Sequence, residues 1–284
     1  MEQTKISSFD GTTLFTMHVA AEKGCESENF GSEPVIFWVH GAFEHADRYL
    51  EPAKHFARLG FHSVLFDLRG HGRSGGGKMV LGNFSEYLRD LTATVNHWRG
   101  KFSGKAVLFG HSMGGLVAVR HRQTFPDAIA DLKCTILSSP FLGVKVKLPQ
   151  WKTTLSKVAV AVYPKLAVPT DLDAKLVSHD PTVVRAYQTD PLIRRKTTAG
   201  WFEQILKNLQ LASAEAGKIN GEIHFLVAGD DGLVDAQKAV EFYEKISPSA
   251  VKSIRVYDDY FHEILNETPE RRAVVLGDME KLLR

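Results

Sequence analysis

The 284-residue chain has two cysteines, Cys25 and Cys134. Two thiols exclude a disulfide framework and a four-cysteine zinc site. Net charge is also nearly absent: 35 Lys and Arg against 33 Asp and Glu leave +2. A nucleic-acid surface needs a basic stripe or patch, so composition makes no case for that partner. No apolar run approaches the ~20 residues of a membrane span. Met1 to Ala20 lacks the basic and apolar regions of a secretion signal. Internal repeats, low-complexity tracts and long charge blocks are missing too. A cytoplasmic protein is the simplest expectation. What the chain does have is 44% hydrophobic, 24% charged and 10% aromatic residues. That composition supports a sizeable core and is too apolar for disorder.

Strand and helix patterns alternate along the chain. Ile6–Phe9 and Thr12–Val19 flank Asp10-Gly11, which predicts a hairpin with a type I′ turn. Val35–Val39 is a continuous apolar run, as expected of a strand covered on both faces. Tyr49–Leu59 reads as a helix ended by Gly60, and Phe61–Leu68 as the next strand. Leu88, Leu91, Val95 and Trp98 recur at helical spacing within Phe84–Trp98. Ala106–Phe109 and Thr135–Leu137 read as further strands. From about Phe141 to Gly217 no strand pattern is evident. Two helical faces are: Trp151, Leu155, Val158 and Val162, then Trp201, Ile205 and Leu209. The strand–helix rhythm resumes with Ile223–Ala228, Ala236–Lys245, Val251–Tyr257 and Pro269–Leu283. The expected fold class is α/β, a mostly parallel sheet with helices on both faces. Its core is expected from residues 1–140 and 218–284, interrupted by a helical insertion, 141–217.

Gly110-His111-Ser112-Met113-Gly114 fits G-x-S-x-G and sits between a strand run and a helix run. Strand, tight turn and helix are what a nucleophile elbow requires. A serine hydroxyl needs a base within hydrogen-bond reach, and the base needs an orienting acid. Serine, acid and histidine follow in that chain order in such folds. His262 lies in Tyr260-Phe261-His262-Glu263, after the last strand and before the last helix. The sheet's C-terminal edge delivers it beside Ser112. For the acid, Asp230, Asp231 and Asp235 all follow the strand that ends at Ala228. This run lacks the glutamate spacing of a calcium loop, so no metal is expected there. An oxyanion hole needs two main-chain N–H groups. Met113 supplies one, and Ala42 in His40-Gly41-Ala42-Phe43 is the candidate for the other. His40 precedes the nucleophile and reads as structural. Asp67–Ser74 lacks the Lys-[Ser/Thr] end of a phosphate loop and reads as structural as well.

These stretches together resemble the monoacylglycerol lipase and lysophospholipase family of α/β-hydrolases. The likeness runs through His40–His45 with Arg48-Tyr49, Asp67–Ser74, Gly110–Gly115, Ser139-Pro140, Asp190-Pro191-Leu192 and Tyr260–Leu265. It spans nearly the whole chain from about residue 10. The resemblance implies a cofactor-free serine hydrolase with Ser112 as nucleophile, His262 as base, and a single-chain lipid ester as substrate. It selects Asp231 as the acid through Asp231-Gly232-Leu233-Val234-Asp235, although the Gly229–Asp231 gap is one residue short and keeps Asp230 as the alternative. It implies that the insertion caps an acyl pocket, to which Gly41, Phe43, Leu155, Val158 and Val162 would contribute. Phe43 replaces a small residue and makes the oxyanion loop bulkier. Lys145, Lys147, Lys152, Lys157 and Lys165 beside the apolar stripe suit peripheral contact with a membrane. A short-chain esterase or thioesterase would share every catalytic residue. A proline-type aminopeptidase would need a cap acid, for which Asp171, Asp173 and Asp180 are available. The oligomeric state stays open.

Overall fold

A computed structural model describes residues 1–22, 33–129, 131–145, 163–170 and 172–284. Eight strands form one sheet. They are β1 (Glu2–Ser7), β2 (Thr13–Val19), β3 (Val35–Val39), β4 (His62–Phe66), β5 (Ala106–His111), β6 (Leu132–Ser138), β9 (Glu222–Ala228) and β10 (Val251–Tyr257). Across the sheet their order is β1-β2-β4-β3-β5-β6-β9-β10. β2 runs antiparallel to β1 and β4, and all other neighbours are parallel. All parallel strands therefore present their C-terminal ends along one edge, where loops collect functional side chains.

The apolar run of β3 is fully buried because both faces of the sheet are covered. Alternate residues serve different layers. Val35, Phe37 and Val39 join one core with α2 (Ser85–Arg99), α3 (Met113–Thr124), α5 (Ala199–Ala214) and α6 (Ala236–Lys245). Ile36 and Trp38 join the other, against α1 (Leu50–Arg58) and α7 (Pro269–Leu283). The helical spacing in α2 results in four buried side chains, Leu88, Leu91, Val95 and Trp98. Each such burial contributes roughly 1.5–3 kcal/mol. Gly60 ends the turn after α1 at φ +85°, a conformation that costs glycine nothing.

Two local expectations need correction. β1 ends at Ser7, and Ser8–Thr12 form the turn, closed by Gly11 N–H to Ser8 O at 3.1 Å and Ser8 N–H to Thr12 O at 2.8 Å. Gly11 has φ +82° while Asp10 stays out of the left-handed region, so the turn is not type I′. Asp10 instead accepts from Thr12 N–H at 3.0 Å. Second, the segment between β6 and β9 contains strands. β7 (Ala167–Pro169) pairs antiparallel with β8 (Lys196–Thr198). In the same segment, Asp180 caps α4 (Pro181–Thr189) by accepting from Thr182 N–H at 2.8 Å, with the proline in its first turn. Trp201, Ile205 and Leu209 are buried together on α5. The stripe Trp151, Leu155, Val158 and Val162 lies outside the described residues. No described helix is long and apolar enough to cross a membrane.

Candidate active site

Ser112 stands between β5 and α3 at φ +49°, ψ −117°. A side chain rarely adopts this backbone, which costs of order 1–3 kcal/mol unless the surroundings enforce it. They do. Ser112 N–H donates to Ser138 O at 3.0 Å, and Ser112 O accepts from Leu116 N–H at 3.2 Å and Phe141 N–H at 2.9 Å. The glycines on either side are needed for close approach. A Cβ on Gly110 would sit 2.6 Å from Gly114 O, and one on Gly114 would sit 2.1 Å from Val39 O. The hydroxyl is thereby pushed up at the sheet edge.

His262 follows β10 and is 5% exposed. Its Nδ1 lies 2.6 Å from Asp231 Oδ2. A carboxylate only accepts, so Nδ1 carries the proton and Nε2 is left as the basic nitrogen. Asp231 itself is buried and held: Oδ1 accepts from Leu233 N–H at 2.8 Å and Val234 N–H at 3.0 Å. Its main-chain oxygen accepts from Lys145 Nζ at 2.7 Å. The neighbouring acids do other things. Asp230 is exposed, and Asp235 caps α6 through Gln237 N–H at 3.1 Å. Burial opposes a positive His262, but Asp231, Glu263 and Glu44 outweigh it and raise its pKa above the ordinary value. His111, with ring centroid 4.7 Å from His262, goes the other way: burial and the neighbouring imidazole push it well down, so it stays neutral.

Ser112 and His262 open into one cavity of about 250 Å³. Gly41, Ala42 and Phe43 of the His40–Phe43 motif line it. Phe43 has φ +69°, its carbonyl accepts from Arg194 N–H at 2.8 Å, and its ring lies 5.5 Å from that of Trp201. Met113 occupies the first position of α3, directly after Ser112. Leu155, Val158 and Val162 lie outside the described residues. Among the described residues, Phe141, Leu172, Val177, Trp201, Phe202 and Leu233 give it apolar walls.

The polar end of this cavity carries residues to which the motifs assign no role. Glu44 and Glu263 line it, with Arg48 behind them. Arg48 Nε donates to Glu44 Oε2 at 3.0 Å, and Arg48 Nη2 pairs with Glu263. Glu44 Oε1 accepts from Tyr49 OH at 2.7 Å and from Gly41 N–H at 2.5 Å, which ties the network to the oxyanion loop. Burial and the nearby Glu263 raise the Glu44 pKa. His45 Nε2 reaches Asp190 Oδ2 of the insertion at 2.8 Å. The signal was present in Glu44-His45 and Arg48-Tyr49, but the pairing with Glu263 spans 215 residues. His40 is structural in its contacts: Nδ1 lies 2.7 Å from Gly41 O and Nε2 accepts from Leu68 N–H at 2.9 Å. Asp67 likewise binds Ala46 N–H and Arg73 N–H, at 2.8 and 2.7 Å. Asp173 caps a turn through Lys175 N–H, and neither Asp173 nor Asp180 lines the cavity. Asp171 lies outside the described residues.

Among the described residues, one trio has metal-ligand spacing: Cys134, Glu222 and His224, with ligand atoms within 4.8 Å. Both His224 nitrogens are engaged, Nε2 with Glu222 at 2.9 Å and Nδ1 with Ser253 at 2.8 Å. None of the three lines the cavity.

Residues 32–269 match the family model described as serine aminopeptidase, S33. The chain belongs to this family. Its relatives include a phospholipase of Bacillus subtilis (strain 168), 32% identical over 242 residues, covering 84% of this chain and 91% of that protein. The monoglyceride lipase of Homo sapiens is 30% identical over 239 residues, covering 83% of this chain and 77% of that one. The crystal structure of Paleococcus ferrophilus monoacylglycerol lipase superposes with a TM-score of 0.79 at 25% identity, covering 95% and 98% of the two chains. A soluble variant of the Saccharomyces cerevisiae monoglyceride lipase shares the fold, with a TM-score of 0.85 at 21% identity over 99% and 94%. The architecture of this S33-family chain is thus the α/β-hydrolase fold.

Proposed function

We propose that the chain is a serine hydrolase of single-chain lipid esters, with monoacylglycerol favoured over lysophospholipid. The observation that carries this is the cavity at Ser112, lined mostly by apolar side chains together with the carboxylates of Glu44 and Glu263. Ser112 Oγ attacks the ester carbonyl while His262 Nε2 takes its proton. Asp231 holds the imidazole and stabilises its cation. The Met113 and Ala42 amides receive the oxyanion. His262 then protonates the departing glycerol oxygen. It next activates a water that releases the fatty acid and frees Ser112. No cofactor enters these steps. The relatives named as a phospholipase and as monoglyceride lipases leave the headgroup open between the two. Glu44 and Glu263 share the single Arg48, and their carboxyl oxygens are acceptors that suit hydroxyls and disfavour a phosphate.

The insertion, 141–217, acts in this reading as the cap that shields the acyl chain from water. Tyr163, Leu166 and Val168 on it are 69%, 50% and 42% exposed, beside Lys165. They give the cap an apolar face for peripheral membrane contact, which flotation with neutral and anionic vesicles tests.

The deciding experiment compares wild type and Ser112→Ala on monoacylglycerols and lysophosphatidylcholines of short to long chain, with a prolyl amide as control. Ser112-dependent turnover that rises with chain length and favours glycerol esters is the expected result. Turnover confined to short esters or to the prolyl amide overturns the lipid reading.

A further inference from the structure

Segment 172–179 belongs to the insertion by sequence, where Ala174 and Val177 pack with Tyr187 and Ile193, yet it also bonds to the catalytic loop. His262 N–H donates to Leu176 O at 3.4 Å, and Glu263 N–H to Val177 O at 2.8 Å. The amide before them, Phe261 N–H, donates to Glu267 Oε1 at 3.0 Å. Three successive amides around His262 are therefore held, two of them by the insertion. Leu176 also reaches the acid's turn: a Cβ on Gly232, next to Asp231, would lie 2.8 Å from its Cδ2. Val177 meanwhile lines the substrate cavity.

Glu267 locks this seam. It is 0% exposed. Besides Phe261 N–H it accepts from His179 Nδ1 at 2.7 Å, His179 N–H at 3.1 Å and Thr268 N–H at 3.3 Å. The His179 ring stacks on Phe261 with centroids 3.6 Å apart, and Ser178 Oγ donates to Asn266 O at 2.8 Å. A buried carboxylate is costly unless donors converge on it. Here four do, from both sides of the seam. Elsewhere in the insertion, β7 is exposed along Ala167–Pro169, and β8 is tied to the core by Thr198 Oγ1 donating to Met79 O at 2.6 Å.

We infer that Glu267 is a positioning residue for His262, acting through its bonds to Phe261 and to segment 172–179. This rests on the proposed serine-hydrolase reading. The seam fixes the main chain that carries the imidazole, and with it the reach of Nε2 towards Ser112. Small displacements there are expensive, because ~1 Å of misplacement costs up to roughly a hundredfold in rate.

The test is Glu267→Gln, which presents an amide NH₂ to two of the four donors, with His179→Ala as a second variant on a more exposed residue. Two readouts are taken. Hydrogen exchange at Phe261, His262 and Glu263 needs no substrate, and these amides are expected to lose protection together in both variants. Turnover is normalised to Ser112 labelled by a fluorophosphonate. An expected fall in kcat of roughly tenfold or more, with KM within about twofold, marks misplacement of the base. Unchanged protection of the three amides overturns the inference. So does a lowered melting temperature with kcat per labelled site intact. A wild-type chain that hydrolyses no ester removes the proposed function, while the exchange result still decides the seam.

Discussion

Gly114→Ala tests how the elbow is built. A Cβ there would lie 2.1 Å from Val39 O and 2.6 Å from His40 O. Carbon makes ordinary contacts at about 3.5 Å, so α3 and the end of β3 must part by about 1 Å or more. The two sides of that gap carry different parts of the site. α3 holds Ser112 and Met113, whereas β3 leads into Gly41 and Ala42. Overpacking of this kind costs about 1–3 kcal/mol, against a gain of ~1 kcal/mol from alanine's helix propensity. The melting temperature should fall by a few degrees, at roughly 2–4 °C per kcal/mol for a chain of this order of size. The rate should suffer far more, by about a hundredfold, because hole and nucleophile move apart. Gly277→Ala is the control. Gly277 lies inside α7, and an added methyl there would meet nothing within 4 Å. That change should stabilise by ~0.5–1 kcal/mol and leave the rate alone. Fluorophosphonate labelling of Ser112 and a thermal melt read both effects. Labelling of Gly114→Ala within threefold of wild type would refute the packing account.

Two more substitutions probe the charges. Asp231→Asn should lower kcat by about 10³–10⁴, while Asp230→Asn, on an exposed side chain, should change it by less than about twofold; equal losses would return the acid assignment to the Asp230 alternative. Glu263→Gln should move the acid limb of the kcat/KM profile to lower pH. His262 must be neutral to accept a proton, and its raised pKa means activity is lost as pH falls through a value above 6.5. Removing a carboxylate that favours the cation lowers that value, and Arg48, freed of one partner, pushes the same way. An acid limb that stays put or moves up would show that Glu263 does not act on the base.

Much of the fold was legible because it rests on local pattern. The continuous apolar run of β3 announced a strand covered on both faces, and G-x-S-x-G between strand and helix announced the elbow. Chain order then led from Ser112 to His262. What was not legible depends on tertiary contact. Nothing in Asp230-Asp231 says which carboxylate turns inward; the amides of Leu233 and Val234 decide it. β7 and β8 are three residues each, largely exposed, and carry no apolar alternation to betray them. The type I′ turn failed because Gly11 alone supplies the positive φ and Asp10 uses its side chain to close the loop. Glu44, Arg48 and Glu263 lie in stretches that carry the family likeness, but no local pattern pairs them; the fold buries them together.

The order of the site along the chain has a consequence for the protein as it is made. The proposed nucleophile and oxyanion loop are complete once β5 and α3 exist, but the proposed acid and base arrive only with residues 231 and 262. Domains fold from the N-terminus as synthesis proceeds. A nascent chain that still lacks β9 and β10 therefore holds an exposed serine with no base to activate it. It also has an apolar groove with no finished wall, a surface that attracts lipid or other nascent chains. In the proposed reading, hydrolytic competence waits until the strand that brings His262 pairs with β9 and the seam at Glu267 closes.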